Sequence, residues 1–225
     1  MLAATGTAIA APALIGKAQE PPASEQAQAQ PGIAAGVGEM TVTLNVNNQP
    51  RQVNIEPRTT LLDTLRERLG LFGSKKGCDH GQCGACTVLV DGQRIYSCLS
   101  LAVMQEGKQI TTVEGLAQGD RLHPVQAAFI DNDGFQCGYC TPGQVCATVG
   151  LLNELKQGCV SALTPDLQKP PPAALLSEIE IRERLSGNLC RCSAYNGIVA
   201  AVQQVTGQTP PSPAATLQPS AVNPA

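Results

Sequence analysis

Residues 78–86 read CDHGQCGAC, and a fourth cysteine, Cys98, follows with eleven residues between it and Cys86. The spacing C-x4-C-x2-C with a distant fourth cysteine is that of a plant-type 2Fe-2S site. The chemistry accounts for the composition of the loop. Four thiolates must surround two irons and two sulfides, so the backbone has to curl tightly around a negatively charged core. Gly77, Gly81 and Gly84 let amides approach the sulfurs and tolerate a left-handed backbone. Lys75 and Lys76 are placed to offset negative charge. A structural zinc site is the competing reading, but zinc is usually held by paired C-x2-C hooks rather than this run.

The residues around this loop alternate as strands do. Segment 41–47 (TVTLNVN) leads through Asn47-Asn48 to 51–55 (RQVNI), a hairpin pattern. Thr60 stands three residues before Asp63 as a helix start. Leu61, Leu62, Leu65 and Leu69 then share one helical face, and Gly70 falls at the C-terminal cap. Beyond the cysteines, 87–90 (TVLV), Asp91-Gly92 and 93–97 (QRIYS) form a second hairpin signal, and 109–113 (QITTV) offers one more strand. A small mixed sheet crossed by one helix is the expected assembly.

From residue 123 the hydrophobic period changes from two to about 3.6. Pro124 opens a helix carrying Val125, Ala128 and Phe129, and a second run aligns Val145, Val149, Leu152 and Leu155. Ser177 and Glu180 form a capping-box pattern for a third helix with Ile181 and Leu185 inward and Gly187 at its end. Ile198, Val199 and Val202 mark a fourth. The stretch 157–174 is a Pro-rich connection without periodicity.

The four helices are expected to form a small bundle whose two inter-helix loops meet at one end. Cys137 and Cys140 lie in one loop, and Cys190 and Cys192 in the other. Taken alone, this C-x2-C with a later C-x-C fits zinc as well as iron and sulfide. Beside a ferredoxin-type loop, a second iron–sulfur cluster is the better reading. Cys146 falls within a helix and reads as core, and Cys159 as a free thiol in the connection. His80 and His123, the two histidines, have no catalytic partner in view and read as structural or solvated. No P-loop or strand-borne GxGxxG occurs. Sites for electrons without a site for a substrate imply partner subunits.

All ten cysteines of the 225 residues lie between 78 and 192, so both ends stand apart from this chemistry. Residues 1–15 resemble the weakly apolar middle of an export signal, with Ala27-Gln28-Ala29 as a small-residue cleavage site. The first arginine is Arg51, so the expectation is a twin-arginine leader whose opening residues precede Met1. Residues 207–225, with five prolines and no charge, read as a flexible extension. With 15% charged residues and a net charge of −3, a basic nucleic-acid footprint is not the leading reading. No uninterrupted apolar run reaches the ~20 residues of a membrane span.

CDHGQCGAC, FQCGYCTPGQ at 135–144 and GNLCRC at 187–192 occur in the order found in one family. Together they resemble the small iron–sulfur subunit of the xanthine oxidase family of molybdenum hydroxylases over about residues 41–205. LHPVQAAFI at 122–130 and CRCSAY at 190–195 are similar to the periplasmic aldehyde oxidoreductase branch. Ser193-Ala194, in place of the Thr-Gly common in the wider family, leans the same way.

The resemblance implies an α+β chain. Residues 40–115 would be a β-grasp plant-type 2Fe-2S ferredoxin domain and 120–206 a four-helix-bundle 2Fe-2S domain, flanked by 1–39 and 207–225. It further implies Cys78, Cys83, Cys86 and Cys98 as ligands of one cluster, and Cys137, Cys140, Cys190 and Cys192 as ligands of the other. A large subunit would bind the molybdopterin cofactor, and a middle subunit FAD. Gln136 would touch the pterin, and the helical-domain cluster would lie nearer molybdenum. The implied activity is electron transfer during oxidation of an aldehyde to a carboxylic acid in the periplasm. The alternatives are carbon monoxide, isoquinoline or another N-heterocycle as substrate, a free-standing two-cluster carrier, and a cytoplasmic location.

Overall fold

The computed structural model describes residues 38–208 apart from Lys169 and Pro171. The export-signal reading, and the C-terminal extension from residue 209 onward, lie outside the described residues. Strands β1 (Met40–Val46) and β2 (Gln49–Ile55) pair antiparallel from Met40↔Ile55 to Val46↔Gln49. Their turn is left-handed at both Asn47 (φ 53°) and Asn48 (φ 63°), the conformation for which asparagine is tolerated. Strands β3 (Thr87–Val90) and β4 (Gln93–Tyr96) form the second hairpin, with Asp91 and Gly92 likewise at positive φ. Strand β5 (Gln109–Thr111) runs parallel to β1 and antiparallel to β3, giving the order β2-β1-β5-β3-β4. This mixed sheet is a β-grasp.

Helix α1 (Leu61–Asp63) starts at Thr60, whose hydroxyl accepts the Asp63 N–H at 3.1 Å. The chain then widens into a π-helical turn over Thr64–Arg68, where the Leu69 N–H reaches the Thr64 carbonyl at 3.0 Å. The sequence predicts a regular α-helix through Leu69, and the structure replaces its second turn with this wider one. In the wider turn Arg66 donates to the Ser74 carbonyl at 2.8 Å, fixing the chain that enters the cysteine loop. Leu61 and Leu65 still pack under the sheet with Val42, Leu44, Val88 and Ile110.

Helices α2 (Pro124–Asp131), α3 (Thr141–Lys156), α4 (Glu178–Arg184) and α5 (Tyr195–Val205) build a second core around Phe129, Val145, Leu151, Ile181 and Ile198. His123 caps α2: its Nδ1 accepts the Val125 N–H while Gln126 accepts the N–H of His123. The Ser177 hydroxyl accepts the Glu180 N–H, but the Glu180 carboxylate turns to Arg184 instead of completing the capping box. Helix α4 ends at Arg184, so Gly187 belongs to the following loop.

The two cores meet along β3, which is buried throughout. Val88 and Val90 face the sheet core and Leu89 faces the helices, as the two-residue period of a strand requires. Arg94 on β4 reinforces the junction with paired bonds to Glu154 of α3 at 2.7 and 2.9 Å. Among the described residues no helix is long and apolar enough to cross a membrane.

Candidate metal centres

The loop from Gly77 to Cys86 is shaped by its glycines. Gly81 and Gly84 have φ of +74° and +69°. At Gly77 a side chain would come within 2.8 Å of the Cys83 sulfur. Backbone amides turn inward, and those of Gln82 and Cys83 donate to Cys78 Sγ at 3.2 and 3.4 Å. Thr87 and Ser97 tie the loop base by donating to the Gly84 and Cys86 carbonyls. Lys76 pairs instead with Asp63 and Asp79, and Lys75 donates to the Phe72 carbonyl. Both lysine heads are thus engaged away from the sulfurs, and the donors aimed at Cys78 are backbone amides.

Cys78 lies beside Cys83 and Cys86 beside Cys98, near enough for each thiol to influence its neighbour. The His80 N–H, followed by those of Gln82 and Cys83, lowers the Cys78 thiol to about 6 against the opposing effect of burial. Burial pushes Cys98 up to about 11, with Cys86 adding to the shift. His80 itself is exposed, its ring against the Cys78 carbonyl.

The second set sits between α2 and α3 and ahead of α5. Cys137 lies beside Cys192 and Cys140 beside Cys190, again in pairs. Burial raises Cys140 to about 12, whereas the Tyr139 N–H and Cys192 lower the exposed Cys137. The Ala194 N–H donates to Cys190 Sγ at 3.4 Å, and the Cys190 N–H donates to the Tyr195 hydroxyl at 2.8 Å. Gln136 is exposed next to Cys137. Cys146 is buried in α3, its thiol raised by that burial to about 12, while Cys159 is exposed in the connection.

This arrangement tests what the two sets can hold. Among the described residues no three His, Cys, Asp or Glu side chains close around a single ion. A zinc ion would draw four donors to one point at ~2.3 Å from each sulfur. A binuclear core instead divides its four thiolates two to each iron, and the neighbours Cys78 and Cys83, Cys86 and Cys98, Cys137 and Cys192, and Cys140 and Cys190 suit that division. Buried thiols as resistant to ionisation as Cys98 and Cys140 become thiolates beside a cationic metal. The residues present fit 2Fe-2S clusters.

Comparison with known proteins agrees. A 2Fe-2S iron-sulfur cluster binding domain matches residues 44–117, and a 2Fe-2S binding domain matches 112–203. The aldehyde oxidoreductase iron-sulfur-binding subunit PaoA of Escherichia coli K12 is 57% identical over 169 residues, 75% of this chain and 72% of PaoA. The chain belongs to the iron–sulfur subunits of the xanthine oxidase family. Among solved structures of the family, quinoline 2-oxidoreductase from Pseudomonas putida 86 has a chain 39% identical to this one. That likeness has a TM-score of 0.63 and covers 75% of this chain and 93% of the other. The aldehyde oxidoreductase of Desulfovibrio desulfuricans is 35% identical with a TM-score of 0.61 over 74% of this chain, and there the likeness spans 17% of a much longer polypeptide.

Several residues that organise these iron–sulfur loops were not singled out in the sequence. Asn188 is buried and donates to the Gly84 carbonyl and the Thr87 hydroxyl, both at 2.9 Å. Gln144 donates to the Asn188 carbonyl at 2.6 Å, and the Tyr96 hydroxyl donates to the Gly187 carbonyl at 2.8 Å. The Leu189 N–H donates to the Cys83 carbonyl at 2.9 Å. Asn188 had one available signal, a polar residue between Gly187 and Cys190 in a loop that must pack tightly.

Proposed function

We propose that the chain is the electron-transferring subunit of a molybdenum-dependent aldehyde oxidoreductase that converts aldehydes to carboxylic acids. Cys78, Cys83, Cys86 and Cys98 hold one cluster in this reading, and Cys137, Cys140, Cys190 and Cys192 the other. Each 2Fe-2S cluster, when bound, takes up and releases one electron at a time. The carrying observation is the hydrogen bond from the Leu189 N–H to the Cys83 carbonyl, because Leu189 directly precedes Cys190. One hydrogen bond thus joins a cysteine of the first set to the residue adjoining a cysteine of the second. Asn188 and Gln144 hold that contact in register from either side.

Exposed Gln136 and Cys137 are the edge we assign to a large subunit carrying the molybdopterin cofactor, with Gln136 touching the pterin. The ferredoxin-type loop is the exit toward FAD on a middle subunit. The identity to PaoA supports aldehydes as the substrate class. The likeness to quinoline 2-oxidoreductase supports an N-heterocycle as the second reading. The weakly apolar residues 1–15 and the Ala27-Gln28-Ala29 site support twin-arginine export to the periplasm. Purification from the periplasmic fraction of the native host is expected to recover the chain with a molybdopterin-bearing large subunit and a flavoprotein. Recovery of the chain alone with both clusters would make it a free-standing carrier, and recovery only from cytoplasm would contradict export.

A further inference from the structure

The two segments of the second cysteine set approach the first in different ways. Segment 187–192 is joined to it by Tyr96, Asn188 and Leu189. Segment 137–140 approaches where α3 begins. There Gly143 lies so close to the Gly84 carbonyl that any side chain would collide with it. From this segment the Tyr139 hydroxyl donates to the Lys76 carbonyl at 2.6 Å. Lys76 is two residues before Cys78, and its side chain is itself anchored by Asp63 and Asp79. The Tyr139 ring runs beside Gly77, whose absent side chain would stand 3.9 Å from Tyr139 Cε1 and 2.8 Å from Cys83 Sγ. A tyrosine flanked by Cys137 and Cys140 therefore reaches across to the loop that carries Cys78 and Cys83.

We propose that Tyr139 is a positioning residue whose hydroxyl bond to Lys76 fixes the distance and orientation between the two clusters. The proposal rests on the two-cluster reading above. Gly138 has a φ of +77°, so the 137–140 turn has a glycine pivot where the backbone is free to reorient. Cys137 at its outer end is exposed and gains little from packing. Without the hydroxyl, the turn keeps its cysteines but loses its fixed point on the first loop. The bond also orients the Lys76–Gly77 peptide beside Cys78 and Cys83. Its loss alters the dipoles near the first cluster, one of the levers that set the potential of such centres.

The test compares holo full-length native chain, Tyr139→Phe and Tyr139→Leu. Both clusters are reduced, and the magnetic splitting between them is read by electron paramagnetic resonance alongside iron content and redox titration. Tyr139→Phe is expected to keep the native iron content while its splitting changes and electron exchange between the clusters slows several-fold. Native splitting and potentials in Tyr139→Phe, with a change only in Tyr139→Leu, would assign the effect to ring packing and overturn the proposal. Loss of iron from Tyr139→Phe would overturn it too, assigning the hydroxyl to cluster retention. Native protein lacking one of the clusters would instead sink the two-cluster reading on which the proposal stands.

Discussion

Replacing Arg184 with alanine is expected to destabilise the chain by about 3–5 kcal/mol, the range for removing one partner of a buried ion pair. The Arg184 and Glu180 side chains are 3% and 1% exposed and lie 3.0 Å apart. Arg184 also donates to the Cys159 carbonyl at 2.8 Å, and Glu180 accepts from Thr164 at 2.7 Å and Ser161 at 3.1 Å. The pair thus fastens the 157–174 connection to α4. The Arg184 carbonyl accepts from Arg94, which extends the network to the sheet. Removing the guanidinium leaves a buried carboxylate with only hydroxyl donors. Arg182→Ala is the control, because its pair with Glu178 is well exposed and such helix pairs contribute about 0.3–0.5 kcal/mol. Urea unfolding should separate the two variants clearly, and equal midpoints would contradict the assignment.

Acid should weaken the same network. Burial alone would raise the Glu180 carboxyl, but Thr164, Arg184 and Ser161 together hold it below the usual carboxylate range. A carboxyl lowered by folding contributes fully above its unfolded pKa, and that contribution is lost as pH falls through the folded value. Arg184→Ala should accordingly show a shallower loss of stability on acidification than native protein.

The second large effect is expected at Cys190. Serine there exchanges a soft thiolate for a harder and shorter ligand in a buried position that Ala194 and Tyr195 have shaped for sulfur. Iron content should fall from about four to about two per chain, with the ferredoxin-type signal retained. Turnover of the assembled enzyme should drop by at least ~100-fold, the upper end of what changes outside the ligand shell cost at metal sites. Cys83→Ser should give the complementary loss. Retention of both signals in Cys190→Ser would remove Cys190 from the proposed ligand set.

How much of this was legible beforehand follows from what each residue encodes. Asn47-Asn48 and Asp91-Gly92 announced their hairpins because left-handed turns demand such residues locally. Leu61, Leu62 and Leu65 announced a buried face for the same kind of reason. The parallel pairing of β1 with β5 was not legible, since Asn45 and Gln109 are 64 positions apart in the chain and nothing in either strand names its partner. The two faces of β3 were hidden because TVLV is apolar or small throughout, and a period of two shows only against polar neighbours. The cysteine spacings survive in sequence because cluster chemistry fixes them. The contacts between the loops are different: Asn188, Leu189 and Tyr139 act through a carbonyl or an N–H that any sequence supplies.

The two sets of paired cysteines are assigned to two distinct 2Fe-2S clusters in one chain. Electron paramagnetic resonance of the fully reduced holo chain, with spins counted against iron, tests that assignment most directly. Two distinguishable signals, each integrating to about one electron per chain with about four irons in total, are the expected result. A single signal integrating to one electron, or a colourless protein with stoichiometric zinc, would contradict it.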